Sequence, residues 1–244
     1  MDNIRFGTGG WRAVIGEDFN KENIYRVGAA VAEYLIQENK TDKPIFIGYD
    51  RRFLSKESTV YLAQVLVGRG FHVLLTKRSI PTPLTMHTVK VQNLYLGLEV
   101  TASHNPFSFN GIKVIVDEGR DAPVEVTERL EKILSSGLSQ VDNPKTVSLQ
   151  EAVSSGFVSY VDNPFNSFID DIIAKLDMTA IRNRGLRIAL DPMHGSGTYP
   201  LQVILFTARC TLDLIHSNKD AFFGGSLPAP TKEGLAELSY KVKT

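Results

Sequence analysis

The run Leu94-Tyr95-Leu96-Gly97-Leu98-Glu99-Val100-Thr101-Ala102-Ser103-His104-Asn105-Pro106 decides the fold of this chain. Leu94 to Val100 is rich in apolar and aromatic residues at strand length, and Thr101 to Pro106 then sets a hydroxyl, an imidazole and a carboxamide side by side. Ser103 is therefore expected at the carboxyl end of a strand, the edge at which open α/β sheets bind ligands. Downstream, Asn110-Gly111 reads as a turn before the apolar run Ile112 to Val116.

Working outward, strand and helix patterns alternate. Ile24, Val27, Val31, Tyr34 and Leu35 recur at helical spacing between Lys21 and Gln37, and Pro44 to Tyr49 reads as a buried strand. Asp50-Arg51-Arg52 follows at that strand's carboxyl end, on the same edge as Ser103 if the strands are parallel, with Arg52 read as a solvated loop charge. Ser55 is expected to cap a helix running to about Gly68, Phe71 to Leu75 to form the next strand, and Pro81 and Pro83 to open a short helix through Met86 and His87. The alternation predicts an α/β fold, a mainly parallel mixed sheet covered by helices and joined by right-handed crossovers.

After a turn at Asp117-Glu118-Gly119-Arg120 comes a helix over about Val124 to Leu134. The serine-rich stretch Ser135 to Ser159, with Pro144, Gly137 and Gly156, reads as an interdomain connection with room for a short helix. A second α/β unit follows: a helix near Phe165 to Leu176, a strand at Arg187 to Leu190, its exit loop Asp191 to Gly197, a helix near Tyr199 to Phe206, a strand at Thr211 to His216, a turn at Gly224-Gly225 and a helix from Glu233 to Tyr240. Two successive α/β domains are expected, residues 1–145 and 146–244, the second incomplete because the strand its last helix should feed is not in the sequence.

Lys+Arg and Asp+Glu are both 27 in 244 residues, so there is no broad basic field to draw in nucleic acid or anionic lipid, and neither is an expected partner. The amino terminus Met1-Asp2-Asn3-Ile4-Arg5 has no leader pattern and nowhere do about eighteen apolar residues run together, which predicts a cytoplasmic protein. Cys210 is the single cysteine and reads as a small buried hydrophobe.

A serine hydroxyl is a weak nucleophile until something removes its proton or it is already modified. No G-x-S-x-G elbow surrounds Ser103, which argues against a serine hydrolase. The Asp191 to Gly197 loop could cradle a phosphate before a helix; it is read instead as a tight connection in which Asp191 fixes the turn, and His194 is left out of the catalytic set.

Thr101 to Pro106, together with Asn110-Gly111-Ile112-Lys113, the glycine-rich Phe6-Gly7-Thr8-Gly9-Gly10-Trp11-Arg12, Leu186 to Gly197 and Phe223 to Thr231, resembles the α-D-phosphohexomutase family of phosphoglucomutases and phosphomannomutases. The resemblance implies that Ser103 carries a phosphoryl group and donates it to a sugar phosphate, forming a bisphosphate that reorients and returns its other phosphoryl group. It implies that Arg12 contacts phosphate, with Lys113 the second local cation. His104 or Lys113 is the candidate general acid/base, and Asn105 is assigned to holding the loop. Hexose 1-phosphate, hexose 6-phosphate and hexose 1,6-bisphosphate are the implied partners and Mg²⁺ the implied cofactor, bound through the phosphate on Ser103 and an aspartate loop of the type D-x-D-x-D-R. No such triplet occurs in the sequence, and Asp170-Asp171 falls in a predicted helix. The family has four domains, so the chain is expected to be an inactive fragment that stops before the metal loop. The alternative is a non-catalytic sugar-phosphate-binding or regulatory module with the mutase fold.

Overall fold

A computed structural model describes residues 4–7 and 9–243; Met1-Asp2-Asn3 of the amino-terminal reading and Thr8 of the glycine-rich opening lie outside the described residues. The chain begins with β1 (Phe6–Gly7) and β2 (Gly10–Val14), then α1 (Lys21–Gln37), β3 (Ile45–Tyr49), α2 (Ser55–Gly68), β4 (Val73–Thr76), α3 (Thr82–Val91), β5 (Leu96–Val100) and β6 (Phe109–Val116). A 3-10 turn at Asp117–Gly119 leads to β7 (Arg120–Asp121) and α4 (Val124–Leu134), and α5 (Ser139–Asp142), α6 (Leu149–Ser154) and β8 (Val158–Val161) follow. The second unit comprises α7 (Pro164–Ile173), α8 (Met178–Arg184), β9 (Arg187–Leu190), α9 (Thr198–Thr207), β10 (Thr211–Leu214), a 3-10 turn at Phe223–Gly225 and α10 (Ala236–Lys243).

The main sheet has the order β1-β2-β6-β5-β3-β4-β8, with β7 beside β6. The β5-β3-β4-β8 block is parallel, while β6 and β1 run against the rest, as the mixed, mainly parallel reading requires. Alternation along β3 sends Ile45, Ile47 and Tyr49 into a core shared with α1, α2 and α4, and Phe46 into a second core with α3 and α7. Asn20 starts α1 by accepting from the amide of Asn23 at 2.9 Å, a side-chain cap that answers one orphan donor of the first turn. In the second unit β9 and β10 pair in parallel.

Three local expectations are corrected. Asn110-Gly111 is not a turn; both residues lie inside β6, registered with Ala13 and Arg12 of β2. A Cβ on Gly111 would sit 2.2 Å from the Trp11 carbonyl oxygen and 2.9 Å from that of Thr101, so glycine is there because two neighbouring backbones close on it. Ser55 does not cap α2: Leu54, at φ 60°, is the residue before the helix, and the Ser55 hydroxyl donates instead to Asp50 Oδ1 at 2.8 Å. The serine-rich stretch is more than a connection, since β8 extends the first sheet by pairing Val158–Val161 in parallel with Val73–Thr76 of β4.

Candidate active site

Strand register puts the candidate residues on one face of the sheet. Arg12 lies opposite Gly111, Lys113 opposite Gly10, and Lys113 opposite Glu99 on its other side. Residues directly opposite in a ladder share a face, so Arg12, Lys113 and Glu99 all project to the side of α3, from which Thr85 donates to Glu99 Oε2 at 2.5 Å. Gly10 permits this seam: a Cβ there would be 2.9 Å from the Ile112 carbonyl oxygen and 3.1 Å from the Lys113 Cα.

The loop from β5 to β6 carries Ser103 on the surface with φ 56°, a left-handed conformation that costs a residue with a Cβ about 1–2 kcal/mol. The surroundings hold it there. The Ser103 amide donates to Thr101 Oγ1 at 3.0 Å, and the Thr101 hydroxyl donates to Asp50 Oδ2 at 2.6 Å. Asp50 Oδ1 in turn accepts from the Arg52 amide at 2.9 Å and from the Ser55 hydroxyl.

Arg52 completes the clamp, and its assignment as a solvated charge is overturned. Its side chain is fully buried and its fork donates to four carbonyls of the loop: Ser103 and Asn105 at 2.7 Å each, Pro106 at 2.9 Å and Phe109 at 3.1 Å. Nε lies 3.4 Å from Asp50 Oδ2. Burial pushes the Asp50 carboxyl up against the bonds from Thr101, Arg52 and Ser55 that favour its charged form. Burial likewise pushes the Arg52 guanidinium down, opposed by Asp50 and reinforced by nearby Arg12. A buried guanidinium is tolerated when its donors and charge are answered: four carbonyls take the Nη1 and Nη2 donors, and Nε, which makes no hydrogen bond, faces the Asp50 carboxylate.

Ser103 Oγ lies 3.3 Å from His104 Nδ1, and Arg12 Nη1 donates to Asn105 Oδ1 at 3.0 Å. Arg5, Gly7, Gly10, Arg12 and His104 border a cavity of about 420 Å³. Lys113 is not in its wall, because its ammonium is turned to Asp121 Oδ1 at 2.8 Å. The structure therefore brings Ser103 and His104, and Arg12 and Asn105, together as two hydrogen-bonded pairs at one loop, and places Lys113 on the same sheet face as Arg12. Sequence reasoning missed Arg52, the Thr101 hydroxyl and Asp121. The available signal was Asp50 itself, a carboxylate at a parallel strand's exit that needs a cation once buried, with Arg52 two residues away.

In the second unit, Asp191 fixes its turn by accepting from the Met193 amide at 2.8 Å, and its other oxygen lies 3.0 Å from His216 Nδ1. His216 Nε2 is 3.2 Å from Glu237 Oε2, and the bond to Asp191, with Glu237 adding to it, raises the imidazole above its ordinary value. Cys210 is buried.

The implied Mg²⁺ calls for carboxylates free to receive it. Among the described residues no group of three or more His, Cys, Asp or Glu could hold a metal. Asp50 is committed to Thr101, Ser55 and Arg52, and Asp171 of α7 to His87 at 2.6 Å. Among the described residues no helix is long and apolar enough to cross a membrane.

Comparison with known proteins gives the family. Residues 3–140 match the family model for phosphoglucomutase/phosphomannomutase α/β/α domain I, and residues 166–244 that for domain II. The chain belongs to the phosphoglucomutase/phosphomannomutase family. It is 24% identical over 239 residues to a phosphoglucosamine/phosphogalactosamine mutase of Sulfurisphaera tokodaii, covering 98% of this chain and 50% of that protein. To a phosphoglucomutase of Komagataeibacter xylinus it is 28% identical over 230 residues, 90% of this chain and 41% of that protein. Among solved structures, a Thermus thermophilus protein given a provisional phosphomannomutase assignment superposes with a TM-score of 0.84 at 26% identity, over 99% of this chain and 52% of that one. The chain thus spans about half the length of these relatives.

Proposed function

We propose that Ser103 is the phosphoryl acceptor of a phosphohexomutase that interconverts sugar 1-phosphates and 6-phosphates through a bisphosphorylated intermediate. The observation that carries this reading is the Ser103 loop itself: an exposed hydroxyl in a left-handed backbone conformation, fixed by Thr101, Asp50 and Arg52, with His104 at 3.3 Å and Arg12 tethered one residue further on. Phosphoryl transfer asks chiefly for positioning and charge neutralisation. In the loading step the bond between phosphorus and a sugar oxygen breaks, one from phosphorus to Ser103 Oγ forms, and the Oγ proton passes to the departing sugar oxygen by way of His104 or Lys113. Arg12 and Lys113 neutralise the transferred group. Lys113 must leave Asp121 to do so, and their ion pair is the one observation that favours the second reading, a sugar-phosphate-binding module without turnover.

The test is to incubate the chain with glucose 1,6-bisphosphate and locate the modified residue by peptide mass spectrometry. Phosphate on Ser103 is expected, and none on the Ser103→Ala protein. Modification confined to Ser108 or Ser196 would sink the assignment.

A further inference from the structure

The Ser103 loop is tied not only to its own sheet but also to the second unit. Asp220 fixes a tight turn by accepting from the amides of Phe222 at 2.9 Å and Gly224 at 3.0 Å. Within that turn Phe223 is held at φ 53° and is 7% exposed. Its ring lies on the Arg52 guanidinium, 4.9 Å from centroid to Cζ. Arg52 is the group whose donors hold the carbonyls of Ser103, Asn105, Pro106 and Phe109. The guanidinium thus gives its Nη donors to the loop while its Cζ sits over the Phe223 ring. A separate link runs through Arg51, whose Nη1 donates to the carbonyls of His194 at 3.3 Å and Ser217 at 3.1 Å.

We propose that Phe223 is a positioning residue for Ser103: by packing on Arg52 it makes the geometry of the Ser103 loop depend on the seating of the 217–225 segment of the second unit. Nothing from Phe223 touches the reacting atoms. Its effect runs through the one side chain that bonds four loop carbonyls, so a guanidinium free to rock would release several bonds together. This rests on the reading of Ser103 as the phosphoryl acceptor and adds to it a second-unit residue that controls how well the acceptor is held.

The test is amide hydrogen exchange on the full chain, wild type against Phe223→Leu, with Phe223→Trp as the conservative rescue, and with Arg51→Ala and Phe222→Leu to loosen the other links, the second being the edge-on contact of Phe222 with Phe107 of the loop, 5.2 Å between ring centroids. The hydrogen-bonded amides of Ser103, Asn105 and Phe109 are expected to exchange about tenfold faster in Phe223→Leu, the size of effect a partly desolvated cation–π contact supplies, and to recover in Phe223→Trp. Amides of β3 and α1 should not change. If Phe223→Leu also releases the β9 and β10 amides, Phe223→Met, which keeps apolar bulk without a π face, is read in its place. Unchanged loop exchange overturns the proposal, and so does equal loosening by Arg51→Ala or Phe222→Leu, which would make docking in general the cause. In parallel, loading of Ser103 from glucose 1,6-bisphosphate should slow about tenfold in the leucine variant. A wild type that never loads refutes the acceptor reading alone, and the exchange data still decide for or against Phe223.

Discussion

Glu99 is wholly buried on β5, takes one hydrogen bond from Thr85 and leaves Oε1 without a partner. A Cβ on Gly48 would come within 2.1 Å of Glu99 Oε2, so the neighbouring strand gives up a side chain to make room for the carboxyl. Burial pushes Glu99 well above the ordinary glutamate value of 4.5, and the charge on Asp50 pushes the same way; the Thr85 bond and the Lys113 ammonium oppose them. The folded state therefore binds this proton more tightly than the unfolded chain does. Its contribution to stability is full below pH 4.5 and is lost as pH rises toward the folded-state value. Glu99→Gln keeps the shape and an acceptor for Thr85 while removing the ionisation. Its melting temperature should fall less steeply than that of wild type as pH rises above 4.5, and lie above it at the alkaline end. Parallel melting curves for the two proteins across that range would show that Glu99 is not the titrating group.

At the level of strands, the β2–β6 seam decides whether Arg12 and Lys113 share a face, and Gly111 keeps the seam closed. Gly111→Ala places a methyl carbon against the carbonyl oxygens of Trp11 in β2 and of Thr101 just past β5, backbone groups that cannot swing aside as a flexible side chain would. The cost should be at least about 1–3 kcal/mol, the usual range for overpacking a tight interior, measured as a lowered urea midpoint at unchanged slope. Retention of the wild-type midpoint would mean that β2 is free to move off β6. This residue also shows what was legible in sequence. The β5 strand, the alternation of elements and the Ser103-His104-Asn105 cluster follow from local pattern, because apolar runs and their breaks are local. Asn110-Gly111 has the composition of a hairpin turn, and only pairing with β2, far away in sequence, puts it inside a strand. The same holds for β8, where Val158-Ser159-Tyr160-Val161 is too short and polar to stand out from the serines before it until β4 pairs with it. Arg52 looked solvated because its carbonyl partners come from residues 103–109, and a loop's fold cannot be read from the loop that clamps it.

For the whole molecule, the proposed function separates loading of Ser103 from catalytic turnover, and the 244-residue chain is expected to do the first without the second. Loading needs the acceptor loop, His104 and a cation, all of which this chain contains. Under that proposal turnover would further need the bisphosphate to reorient and be recaptured without escaping, and a metal site that would neutralise the phosphorylated serine. The sequence has no D-x-D-x-D triplet, and among the described residues no carboxylate cluster could substitute for one. The cavity of about 420 Å³ beside His104 is bordered by residues of the first unit alone, and is expected to lack a grip on the far end of a sugar bisphosphate. Losing that grip forfeits orientation, which in well-ordered systems is worth about 7–11 kcal/mol of barrier. In a coupled assay for glucose 6-phosphate formed from glucose 1-phosphate, with Mg²⁺ and the bisphosphate present, the purified chain should show at most one event per molecule. Sustained turnover that Ser103→Ala abolishes would mean that these residues assemble a complete site, and that Lys113 or an acidic side chain here does the work assigned to a separate metal loop.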